Sequence, residues 1–153
     1  MRSLEIILAE HPFMKGFEPE LIRILTELSS AVVFYPGDFI FRQGEEANLF
    51  YLIDSGKVEV EEFSAAGGPV VLQTVGNGQI LGWSWLIPPY QWRFDARSVD
   101  LTSAVALDAK RLREKMEQDY NLGYELIKRF LAVIASRLEA ARFQLMGIYG
   151  THA

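Results

Sequence analysis

Between residues 35 and 60 the chain alternates glycine-bearing turns with short apolar runs, and this rhythm excludes most folds. Pro36-Gly37-Asp38 leads into Phe39-Ile40-Phe41. Gln43-Gly44-Glu45 precedes Leu49-Phe50-Tyr51-Leu52-Ile53, and Asp54-Ser55-Gly56 precedes Lys57-Val58-Glu59-Val60. Glycine suits breaks that need positive φ, while the aromatic and β-branched residues between them favour a pleated, half-buried surface. Strands this short, recurring at roughly 8–12 residues, describe a small sandwich or barrel. Such a barrel can hold one small ligand.

Further strands are expected over residues 31–35, 69–75, 79–81, 92–98 and 102–107. Ahead of them, Leu4, Ile7 and Leu8 have helical spacing until His11-Pro12-Phe13 breaks the segment. Glu18-Pro19 suits the cap and first turn of a second helix, with Leu21, Ile24, Leu25 and Leu28 as its apolar stripe. Near the C-terminus, Ile127, Leu131, Ile134, Leu138, Ala141, Leu145 and Ile148 recur in alternating steps of four and three. That predicts a helix over about 119–149 with a coiled-coil-like stripe. Phe130 and Val133 add a second apolar edge. The stripe fits either homodimerisation through residues 122–148 or packing against the chain's own barrel. The expected fold class is therefore α+β, mainly β: an eight-stranded antiparallel, jelly-roll-like β-roll over about 31–108, with N-terminal helices and a long C-terminal helix. One domain, 1–153, accounts for the length.

Composition narrows the chemistry. A formal charge of −5 does not suit a nucleic-acid surface. With no cysteine there is no disulfide, Cys-ligated zinc or Fe–S cluster. The two histidines, His11 and His152, lie at opposite ends, so no metal centre or catalytic triad is expected, and neither is enzyme activity. Residues 1–8 are too short and too acidic for a secretory signal, and a cytoplasmic location is expected. Residues 63–92 carry no charge, but Gly67, Gly68, Gly76, Gly78, Gly82, Pro69, Pro88 and Pro89 interrupt them, which disfavours a membrane span. Glu59, Glu61 and Glu62 are expected on a solvated strand face.

His11-Pro12-Phe13, the Pro36-Gly37-Asp38 to Gln43-Gly44-Glu45 run and Phe50-Tyr51-Leu52-Ile53 with Ser55-Gly56-Lys57-Val58 closely resemble the cyclic-nucleotide-binding domain, especially of bacterial Crp/Fnr-type regulators. The resemblance spans nearly all of residues 8–149 and implies a regulatory, non-catalytic role, with cAMP, cGMP or another small anion as the ligand to be considered. In that family a Gly-Glu-(x)-Ala-Leu helix offers N–H groups to the cyclic phosphate, its glutamate accepts from the ribose hydroxyl, and an arginine in a Pro-Arg-x-Ala strand start adds charge. Here the cassette is degenerate. Gly82, Leu86 and Pro88-Pro89 match, but Trp83 stands at the glutamate position, and an indole N–H only donates.

The arginine position is open to two readings. Counting forward from Gly82 selects Arg93. Counting backward from Leu107-Asp108 and Leu112 selects Trp92, and strand alternation then turns Trp92, Phe94, Ala96 and Ser98 inward, with Arg93, Asp95 and Arg97 outward. The candidate ligand-binding residues are thus Gly82, Trp83 and Ser84 for an anion, Arg93 or Arg97 for charge, and Trp85 and Trp92 for stacking. Alternatively, Trp83, Trp85, Tyr90 and Trp92 fill the barrel themselves and leave a protein-interaction scaffold. The Crp/Fnr helix-turn-helix would follow Tyr149, where four residues remain, so this chain alone is not expected to bind DNA.

Overall fold

A computed structural model describes residues 3–150, with side chains described through Gly147. His152 and the side chain of Ile148 lie outside the described residues. The chain forms two compact units, one running to Lys115 and one from Met116.

The first unit opens with helix α1 (Leu4–Glu10), capped by Ser3, whose Oγ accepts from the Ile6 N–H at 3.3 Å. A short 3-10 turn (Pro12–Met14) follows, and then α2 (Pro19–Glu27) with Glu18 at its N-cap and Pro19 in its first turn. The buried face of α2 is Leu21, Ile22 and Leu25, with Leu28 just beyond. Ile24, expected in that stripe, is only half-buried.

Eight strands come next: β1 (Ser29–Phe34), β2 (Phe39–Phe41), β3 (Leu49–Ser55), β4 (Lys57–Ser64), β5 (Gly68–Gly76), β6 (Ile80–Leu81), β7 (Asp95–Ser98) and β8 (Thr102–Asp108). They form two four-stranded antiparallel sheets, β1-β8-β3-β6 and β2-β7-β4-β5, which is the expected β-roll. The strand expected over 92–98 begins three residues later, because Trp92 bonds to the β2–β3 turn instead. Its N–H donates to Glu45 O at 2.9 Å, and its carbonyl accepts from the Gly44 N–H at 2.8 Å.

Register explains why β3 and β8 are apolar through their middles. Tyr51 pairs with Ala106 and Leu81, and Ile53 with Ala104, so these five residues share one face; all are buried. Phe50, Leu52, Ile80, Val105 and Leu107 share the opposite face and are buried too. A strand covered on both sides shows no polar alternation. Gly56, at the β3–β4 turn, has φ +127°, and a Cβ there would lie 2.6 Å from Thr102 Cα. Only glycine fits that approach.

His11 ties the N-terminal segment to the roll. Its Nδ1 accepts from the Phe13 N–H at 3.2 Å, so Nε2 carries the proton and donates to Ile53 O at 3.0 Å. Burial pushes its pKa below the ordinary imidazole value, against smaller opposing effects of the Ile53 carbonyl and Asp54.

The unit boundary falls within α3 (Ala109–Gln118), a helix absent from the expectation. Its signal was present: Asp108 Oδ1 accepts from the Arg111 N–H at 3.0 Å, as a capping aspartate does. In the second unit, α4 (Tyr120–Gly150) begins at Asp119, whose Oδ1 accepts from the Leu122 N–H at 3.2 Å. Ile127, Leu131, Leu138 and Leu145 of the heptad stripe are exposed along α4.

Candidate functional site

The cassette runs from Gly82 to Arg97 and is built from a bend, one helical turn and the start of β7. Gly82 has φ +97°. Trp83 then stands at the N-cap of a three-residue 3-10 turn, Ser84–Leu86, in which Leu86 N–H donates to Trp83 O at 3.0 Å and Ile87 N–H to Ser84 O at 3.3 Å. Trp83 and Ser84 are half-buried. The expected helix is thus a single turn, cut short by Pro88 and Pro89.

Trp85 and Trp92 are both buried, and each lies on a phenylalanine. Trp85 stacks on Phe50 with centroids 4.7 Å apart and planes 6° from parallel. Trp92 stacks on Phe41 at 3.8 Å and 8°. The Trp92 ring also lies against Gly82: a Cβ built on Gly82 would sit 2.6 Å from Trp92 Cη2 and 2.8 Å from Cζ3. Glycine is therefore required at 82 both for its backbone and to admit the indole.

The charges of this strand face away from the indoles. Ala96 and Ser98 are buried with Trp92, whereas Arg93 is exposed and Arg97 half-exposed. Phe94, inward in the alternation, is only half-buried. Arg97 Nε donates to Glu61 Oε1 at 2.8 Å and its Nη2 to Oε2 at 3.4 Å, with Glu59 at 3.8 Å. The Glu61 hydrogen bond and charge, aided by Glu59, raise the Arg97 pKa further. Glu61, expected on a solvated face, is 4% exposed, because this two-pronged guanidinium bond covers it. Beside this pair, Arg42 Nε lies 3.7 Å from Asp95.

Arg113, on α3, was missed by sequence reasoning. Its Nη1 donates to Trp85 O at 2.8 Å and Ala47 O at 3.4 Å, and its guanidinium lies 4.1 Å from the Tyr90 ring centroid. One cation thus links the β2–β3 turn with the helical turn at Trp85 and with Tyr90 beyond it. No spacing rule pointed to it, since its partners are carbonyls far away in sequence.

Next to the Trp92–Phe41 stack lies a cavity of about 560 Å³, lined by Ile40, Phe41, Gly44, Glu45, Glu46, Asn48, Leu49, Tyr51 and Trp92. Burial and then the Glu45 carboxylate push the Tyr51 phenol up to about 12, so it stays protonated. Among the described residues, no group of three or more His, Cys, Asp or Glu side chains is placed to hold a metal ion. No helix is long and apolar enough to cross a membrane among them either.

Comparison with known proteins places this roll. The model of the cyclic nucleotide-binding domain matches residues 31–119, more than half of the chain. The chain belongs to the cyclic nucleotide-binding domain family. It is 26% identical over 148 residues to a CRP-like cAMP-activated global transcriptional regulator of Mycobacterium tuberculosis strain H37Rv, covering 97% of this chain and 64% of that protein. It thus spans under two thirds of the length of that curated relative. Among solved structures, a Geobacter metallireducens GS-15 protein, whose name marks it as a candidate cyclic nucleotide-binding protein, superposes with a TM-score of 0.79 at 29% identity, over 90% of this chain and 99% of that one. The regulatory subunit of a cAMP-independent protein kinase A from Trypanosoma cruzi, bound to guanosine, superposes with a TM-score of 0.72 at 22% identity, over 95% of this chain and 49% of that one. The last likeness concerns the fold alone.

Proposed function

We propose that this cyclic nucleotide-binding domain is a non-catalytic regulatory module that acts without a cyclic nucleotide, its phosphate position filled by its own Trp92. The observation that carries the reading is the indole packed on Gly82 and stacked on Phe41, at the place where the family's cassette would present an arginine. An indole offers one N–H and no charge, so a cyclic phosphate would enter without its cation. The nearest guanidinium on β7, Arg97, is engaged by Glu61 and Glu59. Trp83 at the ribose-binding position cannot accept a hydroxyl proton. A polar ligand group left unmatched costs about 1–3 kcal/mol, and here several would be.

The output element in this reading is α4, which self-associates. Exposed Ile127, Leu131, Leu138 and Leu145 support a seam between two copies, as heptad positions do in coiled coils. Binding of cAMP and cGMP to the purified protein, read by calorimetry, tests the proposal. No saturable heat at millimolar nucleotide is expected, and micromolar binding would overturn it.

A further inference from the structure

We infer that Arg113 is a latch that holds the cassette turn against α3 by keeping Tyr90 in a strained conformation, a device resting on the reading that no nucleotide performs this task. Among the described residues Tyr90 is the one non-glycine with positive φ, at +57°. A bulky side chain seldom adopts that left-handed region. Such a backbone persists only where its surroundings over-determine it, and it clusters at clamps and switch regions. Three contacts supply the constraint. The Ala47 N–H donates to Tyr90 O at 2.7 Å, the Arg113 guanidinium lies 4.1 Å from the Tyr90 ring centroid, and Arg113 Nη1 donates to Ala47 O at 3.4 Å. Together they close a ring of contacts around one residue.

The same guanidinium holds the helical turn. Its Nη1 donates to Trp85 O at 2.8 Å, and a hydrogen bond from a charged donor is roughly twice as strong as a neutral one. Ile87 N–H donates to Ser84 O at 3.3 Å and Tyr90 N–H to Ile87 O at 2.9 Å, so a release at Tyr90 is felt back to Ser84. α3 is anchored beside this cluster: the Ala109 N–H donates to Asn48 O at 2.9 Å, and Ala109 and Leu112 are buried. Ala109 and Arg113, four apart, lie on one helical face and grip the β2–β3 turn at adjacent residues. A shift of α3 therefore breaks the carbonyl bonds and the ring contact together, and Tyr90 relaxes. Opening of the cassette turn and movement of α3 are one event, and the coupling is equal in both directions.

Amide hydrogen exchange of the nucleotide-free protein, read residue by residue by NMR, tests the latch. Arg113→Ala should keep the parent's protection at Leu52 and Val105 in the roll and lose roughly tenfold or more at Ile87 and Tyr90. Arg113→Lys keeps a cation without the planar face. It should show a smaller loss at the same amides, and it serves if the alanine variant does not fold. Arg111→Ala, at an exposed position of the same helix, should change none of them. Tyr90→Gly added to Arg113→Ala removes the strain, so protection at Ile87 should recover in part, which a merely structural role for Arg113 would not produce. Unchanged protection at Ile87 and Tyr90 in the Arg113 variants, a loss shared equally by Leu52 and Val105, or no recovery with Tyr90→Gly would each overturn the inference. Nucleotide binding by the parent would remove the reading of the cassette and leave these nucleotide-free rates as they are, so the two fail separately.

Discussion

The Trp92 indole occupies the space that any side chain at Gly82 would need, with Cη2 2.6 Å from the position of a Cβ on that residue. Glycine and tryptophan are therefore one unit, and their substitutions will not add. Gly82→Ala introduces both a methyl against the ring and a side chain at φ +97°. The expected loss is about 2–4 kcal/mol, from overpacking together with left-handed strain. Trp92→Ala alone should cost about 3–5 kcal/mol. The double variant should be less destabilised than the sum, as measured by urea denaturation, because the overpacking disappears and the strain remains.

A second prediction separates the two arginines. Arg93→Ala, at an exposed position, should change stability by no more than about 0.5 kcal/mol. Arg97→Ala leaves the buried Glu61 carboxylate without its guanidinium and should lower the melting temperature clearly. Equal melting of the two variants would contradict the ion-pair assignment.

His11 sets a pH dependence. Its folded pKa lies below the ordinary value of 6.5, so the unfolded chain binds the proton more readily. The neutral ring's contribution is complete above pH 6.5 and is lost as pH falls from 6.5 towards the folded pKa. His11→Gln keeps a donor for Ile53 O and cannot titrate. Denaturation series should show stability falling through this window in the parent and a flatter profile in the variant. Parallel profiles would assign the acid sensitivity elsewhere.

The α4 seam makes a fourth prediction. Leu131→Asp with Leu138→Asp places charges at two exposed heptad positions, 60% and 63% accessible. Sedimentation equilibrium should show the parent as a dimer and the variant as a folded monomer. A parent that stays monomeric at high concentration would remove self-association from the account.

Much of the roll was legible because its turns are chemically marked. Gly37, Gly44 and Gly56 all take positive φ, and each separates two of the strands expected from the sequence. The helix starts at Glu18-Pro19 and the long α4 stripe were readable for similar local reasons. What sequence could not settle was register. Whether Arg93 or Trp92 points inward depends on a one-residue frame, and a slip of one reverses every side chain. Backbone bonds from Trp92 to Gly44 and Glu45 fix that frame, and they join segments almost fifty residues apart. The cavity was illegible for the same reason. Glu45 and Glu46 read as turn residues until the fold sets them around one space with Tyr51 and Trp92.

The central claim is that Trp92 takes the place of the phosphate and its arginine. Thermal denaturation in millimolar cAMP or cGMP tests it most directly. A ligand at a hundred times its Kd adds about 2.7 kcal/mol to the native state, a shift that no melting curve would miss. The account predicts superimposable curves with and without either nucleotide. A saturable rise in melting temperature with cAMP or cGMP would contradict it.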